Sequence, residues 1–290
     1  MADLATIERL KDRAADMRVD LLKLCYKAGL LHIGGDLSIT DIVTCLFHYA
    51  MKYDPKGCRW EGRDRFILSK GHCAGAIYIA QANAGYYDKQ EVMDTYCALD
   101  SRFGLHPCCQ VLDTFEISTG ALGHGLSISV GMAKAAKMDG KKHRVFVILG
   151  DGESMEGSVW EALMAAPQFK LGNLVAVVDR NRLSMDGPTE VNMKLEPYAD
   201  KFRAFNWRVV EVNGNDMKEL CTAFDNLPPA DSDIPTLILA NTTKGKGIDF
   251  MENNPLWHAG SIKDEETLNN CIGQILDARA KEKRGEASWQ

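Results

Sequence analysis

The sequence lacks the features that mark several large classes of protein. It has no apolar run of transmembrane length, no block of basic residues typical of nucleic-acid binding, no internal repeat and no low-complexity segment. Its first eleven residues have the pattern of an amphipathic helix, not of a secretory signal. The net charge is −6, with 46% hydrophobic and 26% charged residues, values that are ordinary for a globular protein. These observations favour a cytoplasmic protein.

The nine cysteines are odd in number and include no Cys-x-x-Cys pair. Cys108 and Cys109 are adjacent, a spacing that disfavours a bridge between them. We therefore expect all nine cysteines to be free thiols in a reducing compartment, without a zinc or redox role. The helical apolar patterns around Cys45 and Cys97 predict that both are core residues.

Two short apolar runs rich in β-branched residues predict buried strands at residues 145–149 and 174–178. The first run ends in Gly150-Asp151-Gly152 and the second in Asp179-Arg180-Asn181, with 26 residues between the two motifs. The helical period of residues 156–166 places a helix between them. In open parallel sheets, ligands bind outside the carboxyl ends of the strands. The two motifs are therefore candidates for a binding site.

The residue types of these motifs suit a metal and a diphosphate. Asp151 and Asn181 supply hard oxygen ligands, which Mg²⁺ or Ca²⁺ prefers, and Mg²⁺ completes its octahedron with phosphate oxygens and water. The glycines beside Asp151 let the backbone approach a phosphate, and the amides of a helix following Gly152 would point the same way. Alone, Gly-Asp-Gly is most simply a turn, but the pair of motifs predicts a Mg²⁺-diphosphate site.

Helices and strands alternate along the rest of the chain, which predicts a doubly wound, mostly parallel α/β sheet flanked by helices. Further strands are predicted at residues 66–68, 207–212 and 236–240. Helices are predicted at residues 3–28, 73–83, 88–98, 126–137 and 216–224, and from a cap at Ser38 or Thr40 to about Lys52. Residues 101–119 have little periodicity and predict a long ordered loop. We expect one domain over residues 1–262, followed by a polar helix and tail over 263–290.

The sequence resembles the transketolases. A strand, Gly-Asp-Gly, a helix and a strand ending in Asn form the thiamine-diphosphate motif of that family. Five further motifs occur in the family's order: His32-Ile33-Gly34-Gly35, residues 63–72, Gly104-Leu105-His106-Pro107, residues 119–125 and Trp257-His258. The resemblance covers roughly residues 5–262 and is to a transketolase amino-terminal half made as a separate subunit. It implies a thiamine-diphosphate-binding fold and the cofactors thiamine diphosphate and Mg²⁺.

The resemblance also implies roles for the histidines. His72 and His258 would contact the cofactor diphosphate and the reacting sugar, and His32 and His106 would line the sugar channel. Imidazole suits this work because it donates to phosphate or hydroxyl groups and transfers protons near neutral pH. Glu156 would lie at a subunit interface and help relay a proton together with Glu161. On the residues alone, Glu156 is a carboxylate near a helix start and Glu161 a surface residue.

The remaining implied contacts concern the cofactor and the metal. Gly120 and Leu122, in a glycine-rich loop, would carry contacts to the cofactor's rings. Gly152 would bind the cofactor, and so would Asn181, which would also ligate Mg²⁺. The other metal ligands would be Asp151 and the backbone carbonyl of Leu183.

The sequence departs from the family pattern at several positions. They are Leu31, Asp36, Cys108, His124 and Arg180. None of these changes removes a diphosphate or metal ligand, but several lie in loops of the sugar channel. The identity of the sugar is therefore left open.

The function implied is that of one subunit of a two-subunit transketolase. It would transfer a two-carbon ketol unit from a ketose, which we expect to be phosphorylated, to an aldose acceptor. In the family, the glutamate that activates the cofactor lies in a pyrimidine-binding domain, for which this sequence has no counterpart. We therefore expect activity only with a pyrimidine-binding partner subunit, in an assembly with two copies of each chain. Alternatives are a deoxyxylulose-phosphate synthase-like or ketoacid dehydrogenase α-like subunit, or a non-catalytic cofactor-binding scaffold; the sugar-channel histidines argue against the ketoacid dehydrogenase.

Overall fold

A parallel sheet forms the centre of the fold. The computed structural model describes residues 1–56 and 59–286. Within these residues the strands are β1 Arg65–Leu68, β2 Val145–Gly150, β3 Leu174–Arg180, β4 Arg208–Asn213 and β5 Thr236–Asn241. They pair in parallel in the order β1-β2-β3-β5-β4. The predicted α/β class with a mostly parallel sheet is confirmed.

Helices cover both faces of this sheet. They are α1 Leu4–Ala28, α2 Ile33–Cys45, α3 Ala74–Asn83, α4 Lys89–Thr95, α5 His124–Met138, α6 Gly157–Gln168, α7 Thr189–Asn192, α8 Tyr198–Ala204, α9 Met217–Asp225 and α10 Glu265–Lys283. Alternate strand residues point to opposite faces. Phe146 and Ile148 of β2 join a core with α1, α2 and α9, whereas Val145 and Val147 join a second core with α5 and α6. Since β2 and β3 are buried on both faces, β2 and the part of β3 up to Val178 are unbroken apolar runs.

The start of α2 differs from the prediction. Ser38 and Thr40 do not cap this helix, because it already begins at Ile33. Ser38 Oγ lies 2.9 Å from the Gly35 carbonyl but donates to the Asp179 carboxylate at 2.7 Å. Thr40 Oγ1 donates to the Asp36 carbonyl in the preceding turn of the same helix at 2.8 Å, as mid-helix Thr commonly does.

The prediction for Cys97 is wrong, whereas that for Cys45 is confirmed by its burial. Helix α4 ends at Thr95, and Cys97 is exposed with φ at 56°. Its backbone N–H donates to the Phe103 carbonyl at 2.8 Å. The chain therefore turns at this point instead of continuing as a helix. The eight described cysteines are free thiols, and Cys58 lies outside the described residues.

Two segments outside the sheet are well packed. Residues 101–119 contain no helix or strand, as predicted, but Phe103, Leu112 and Phe115 are buried in the first core. Helix α10 places its apolar residues in the same core, and Arg279 on this helix donates to Glu8 and Asp12 of α1. Residues 287–290 of the predicted tail lie outside the described residues. Among the described helices, none is both long and apolar enough to cross a membrane.

Candidate active site

The four loop histidines of the sequence motifs form one cluster beyond the carboxyl ends of the strands. The ring centroid of His32 lies 5.3 Å from that of His72, 6.1 Å from that of His106 and 5.6 Å from that of His258. The rings of His72 and His258 are 5.2 Å apart. Nδ1 of His32 is buried and has no hydrogen-bond partner among the described residues. A buried polar atom of this kind is normally satisfied by a ligand or water.

Close backbone packing holds these histidines together. Leu31 and Gly260 form an antiparallel bridge, with N–H to carbonyl distances of 3.0 and 2.9 Å, which sets His32 and His258 side by side. Gly120 has φ at 143°, and a Cβ there would lie 3.2 Å from the His106 ring. Glycine therefore allows the glycine-rich loop to pass close to this imidazole.

All four imidazoles favour the neutral form. Burial lowers the pKa of His72 well below its ordinary value, and the nearby Lys70 adds to this effect. Burial and the ammonium of Lys244 lower the pKa of His258 to about 3. Burial also lowers the pKa values of His32 and His106. At neutral pH each ring thus has one donor and one acceptor nitrogen.

A buried ion pair lies at the ends of β1 and β3. Lys70 is 2% exposed, and its Nζ donates to Oδ2 of Asp179 at 2.5 Å. Asp179 also accepts hydrogen bonds from Ser38, Asn181 and Thr242. Burial opposes the charge of Lys70, but the Asp179 carboxylate outweighs it and holds the pKa of Lys70 above its ordinary value. The hydrogen bond from Asn181 Nδ2 to Asp179, at 2.8 Å, fixes the orientation of the Asn181 amide, so that its Oδ1 points away from Asp179.

Lys244, beyond the end of β5, is held differently. Its Nζ lies 2.8 Å from Nδ1 of His258, 3.2 Å from the Ser184 carbonyl and 3.4 Å from the Leu183 carbonyl. These partners carry no formal negative charge. Burial and the nearby charge of Lys70 lower the pKa of Lys244 to about 8. A buried ammonium with neutral partners is suited to receive an anion such as a diphosphate.

The three predicted metal ligands lie at adjacent strand ends. Asp151 Oδ1 accepts from Gly152 N at 2.7 Å, and Asn181 Oδ1 accepts from Leu183 N at 3.0 Å. Each of these oxygens, and the Leu183 carbonyl, retains a lone pair. No group of three or more His, Cys, Asp or Glu side chains in the described residues is arranged to hold a metal. One carboxylate, one amide and one carbonyl nevertheless fit Mg²⁺, which takes few protein ligands and relies on phosphate oxygens and water.

The chain after Asp151 departs from the expected helix. Gly152–Met155 is a 3₁₀ turn, and α6 begins only at Gly157. Gly152 N donates to Asp151, so this amide orders the carboxylate. Glu156, just before α6, is exposed in this chain, and so is Glu161. Leu122 in the glycine-rich loop is 38% exposed.

A buried glutamate absent from the sequence predictions supports the glycine-rich loop. Glu153 accepts hydrogen bonds from Gly123 N at 2.9 Å, Gly150 N at 3.0 Å and the Ser69 hydroxyl. Ser69 in turn accepts from Gly125 N at 3.1 Å. Glu153 therefore joins the ends of β1 and β2 to the loop that precedes α5.

Four of these site residues were not predicted from the sequence: Lys70, Asp179, Lys244 and Glu153. Lys70 and Asp179 lie inside the sequence motifs, next to predicted site residues, and their charge is a signal that could have identified them. Lys244 follows a predicted strand end, but only the sheet order brings that end next to β3.

Comparison with known proteins defines the class of this domain. Residues 11–273 match the family described as "Transketolase, thiamine diphosphate binding domain". The solved structure of transketolase from Campylobacter jejuni superposes with a TM-score of 0.82 at 28% identity, covering 98% of this chain and 43% of that chain. The fold is therefore the thiamine-diphosphate-binding fold, as the resemblance implied.

Two relatives have nearly the same length as this chain. One of the subunits of the apulose-4-phosphate transketolase of Phocaeicola vulgatus is 40% identical over 282 residues, which are 97% of this chain and 99% of the relative. A 6-deoxy-6-sulfo-D-fructose transketolase subunit of a Clostridium species is 38% identical over 88% of this chain and 92% of the relative. This chain belongs to the transketolase family. It spans almost all of these subunits but less than half of the Campylobacter enzyme.

Proposed function

We propose that this chain is the diphosphate- and metal-binding subunit of a two-chain transketolase that depends on thiamine diphosphate and Mg²⁺. The enzyme transfers a two-carbon ketol unit from a ketose to an aldose acceptor. The observation that carries this proposal is the cluster of four neutral histidines around two buried lysines, next to Asp151 and Asn181. The match to almost the full length of relatives named as transketolase subunits supports the division into two chains.

The diphosphate would bind to His72, His258 and Lys244, and Mg²⁺ to Asp151, Asn181 and the Leu183 carbonyl. The other proposed cofactor contacts are those of Gly120, Leu122 and Gly152. When bound, thiamine diphosphate supplies the carbon–carbon chemistry, while the protein binds and orients it and excludes competing reactions. The low pKa values of the surrounding histidines mean that Lys244 and the metal carry most of the positive charge toward the phosphates.

His32 and His106 would act on the sugar. Both are neutral at physiological pH, so each can accept a proton at one ring nitrogen and donate from the other. Nδ1 of His32, which has no partner among the described residues, is available for this role.

The second chain would supply the pyrimidine-binding domain and cover the exposed glycine-rich loop. Leu122 and Ile128, each 38% exposed, and the carboxylates Glu156 and Glu161 lie exposed in or after this loop and near the start of α6. A partner subunit bound there would bury Glu156 and Glu161, and burial is what a proton relay between two active sites would require of these carboxylates. Two copies of each chain in a cytoplasmic assembly is the form we propose.

The relatives named above act, by their names, on apulose 4-phosphate and on 6-deoxy-6-sulfo-D-fructose, ketoses that carry an anionic group. We therefore take ketose phosphates as the first donors to test. The tagged full chain, used to capture its partner from native extract, provides the complex for this assay with Mg²⁺ and thiamine diphosphate.

The test compares wild type with His72→Ala and His72→Asn, and with His143→Ala as the control. His143 precedes β2 at the opposite end of the sheet. Ketol transfer should need both chains, and either His72 variant should lower kcat/KM by roughly 10²-fold or more. If a folded His72 variant leaves the turnover of the complex unchanged, this chain is a non-catalytic scaffold for its partner. Turnover by the purified single chain would contradict the two-chain enzyme.

A further inference from the structure

A buried arginine contacts the one carboxylate of the proposed metal site. The Arg180 side chain, at the end of β3, is 1% exposed. Its Nη1 donates to Asp151 Oδ2 at 3.0 Å and to Thr189 Oγ1 at 2.8 Å. Asp151 Oδ2 also accepts from the backbone N–H of Arg182 at 2.5 Å. Two donors thus fix Oδ2, whereas Oδ1 accepts a single hydrogen bond from the described residues, that of Gly152 N.

The other side of the same guanidinium holds the chain segment 188–198. Nη2 of Arg180 donates to Glu190 Oε1 at 3.1 Å and to Glu196 Oε1 at 2.8 Å. The Tyr198 ring centroid lies 5.3 Å from its Cζ. Glu190 accepts from the amide of Leu195, and Glu196 accepts from the amide of Tyr198. The Arg180 side chain therefore connects Asp151 to segment 188–198 through Glu190 and Glu196.

The charges around Arg180 matter for a cation. A guanidinium beside Asp151 alone would cancel the attraction of that carboxylate for a metal. Glu190 and Glu196 face the same guanidinium, so three carboxylates surround one positive charge and the group stays net negative. Arg180 can therefore order Asp151 through Nη1 while Glu190 and Glu196 neutralise Nη2, so that the guanidinium does not by itself cancel the attraction of Asp151 for a divalent ion.

We infer that Arg180 is a positioning residue for metal binding, which fixes Asp151 through Oδ2 so that Oδ1 is presented to Mg²⁺, and which couples this geometry to segment 188–198 through Glu190 and Glu196. This inference rests on the proposed function. Outer partners of metal ligands typically change metal affinity by 10–100-fold when they are replaced. A purely structural arginine would change stability but not the Mg²⁺ requirement.

The test is Mg²⁺-dependent binding of thiamine diphosphate, measured by calorimetry on the complex of the full chain with its captured partner, which would supply the pyrimidine-binding domain. Arg180→Lys keeps the charge but loses the fork, and should raise the Mg²⁺ concentration for half-saturation about tenfold or more. Glu196→Gln should raise it less. Arg203→Lys is the matched control, because that half-exposed side chain pairs with Asp200 and Glu211 and does not contact Asp151.

Saturating Mg²⁺ should restore the cofactor affinity of Arg180→Lys, which a general folding defect would not allow. Hydrogen exchange of the metal-free chain gives a second measurement: the amides of Leu195 and Tyr198 should exchange faster in Arg180→Lys. A folded Arg180→Lys with the Mg²⁺ dependence and exchange of wild type overturns the inference. A wild-type complex of both subunits that binds no cofactor with Mg²⁺ overturns the proposed function instead, and the metal role of Arg180 with it.

Discussion

Two aspartates of this domain are equally buried and have opposite acidities. Asp179, at the end of β3, and Asp36, in the first turn of α2, are both 0% exposed. Burial raises the pKa of Asp36 to about 7, because only the Ala76 amide donates to it and its Oδ2 has no partner among the described residues. Burial acts on Asp179 too, but Lys70 and the hydroxyls of Thr242 and Ser38 hold its pKa below the ordinary value.

The difference shows that hydrogen-bond and ionic partners, more than burial, decide which buried carboxyl groups of this protein are charged. Around Asp179 the chain assembles donors from three strand ends and α2, and it thereby orients Lys70 and the amide of Asn181. Around Asp36 it provides one backbone donor. The charged groups are thus concentrated at the strand ends, where the diphosphate and metal would bind.

Of the substitutions considered for these buried carboxyl groups, removal of the Asp179 charge should reduce stability the most. Asp179→Asn leaves the Lys70 ammonium buried without its counter-ion, which should lower the free energy of unfolding by about 3–5 kcal/mol. Urea denaturation measures this loss. Asp233→Asn, at a surface carboxylate that pairs with Lys170, is the control and should leave the midpoint unchanged. Equal effects of the two substitutions would contradict the role of the buried pair.

The raised pKa of Asp36 predicts that the folding stability of the protein falls as the pH rises. The folded state keeps this proton up to about pH 7, whereas the unfolded chain releases it near its ordinary pKa of 3.8. Stability from this group is therefore present below about pH 4 and is lost as pH rises toward 7. Asp36→Asn cannot ionise, so its stability relative to wild type should increase by about 3–4 kcal/mol over this range, at 1.36 kcal/mol per pKa unit.

The neighbours of Asp36 do not obscure this measurement. Burial raises the pKa values of Cys25, Cys73 and Tyr96, so these groups stay neutral between pH 4 and 7. Lys70 stays charged, because Asp179 raises its pKa. Urea titrations of both proteins at several pH values give the curve. A constant difference between them from pH 4 to 7 would show that Asp36 ionises normally.

Asp151 is a third buried carboxylate, and its proposed partner is a metal. Asp151→Ala should weaken Mg²⁺-dependent binding of thiamine diphosphate by about 2–3 kcal/mol, as expected for a lost charged ligand. Asp151→Asn keeps Oδ1 and should lose less. Calorimetry with and without Mg²⁺, with the partner subunit present, measures both. Cofactor binding that is unchanged in folded Asp151→Ala would remove this residue from the metal site.

Glu153 is a buried carboxylate held by two amides and a hydroxyl instead of an ammonium. Glu153→Gln must turn its NH₂ group toward one of these donors, either at Gly150 or at Gly123 and Ser69. The mismatch should cost about 1–3 kcal/mol of unfolding free energy. Exposed Glu161→Gln is the matched control. A urea midpoint shared by both variants would show that the glycine-rich loop does not depend on Glu153.

The sequence predicted those parts of the site that have a local signal. The β-branched runs of β2 and β3 and the motifs around the four histidines are of this kind. The neighbour of β3 has no local signal: β5, not β4, pairs with it, so that Asp179 lies opposite Ala240 and Thr242 reaches its carboxylate. The sequence also offers no local indication that α2 begins at Ile33. Ser38 has the residue type of a helix cap, but its hydroxyl donates to Asp179 instead.

The bridge between Leu31 and Gly260 has a consequence for biosynthesis. The strands that carry Asp151 and Asn181 can pair before the residues that follow β5 have been translated. The histidine cluster cannot form at that stage, because His258 and its bridging neighbour Gly260 follow β5 in the sequence. Joining ends so far apart carries a large loop-closure entropy. A bound cofactor would stabilise the closed state by mass action, so the supply of thiamine diphosphate would act late in maturation, on a sheet that has already formed.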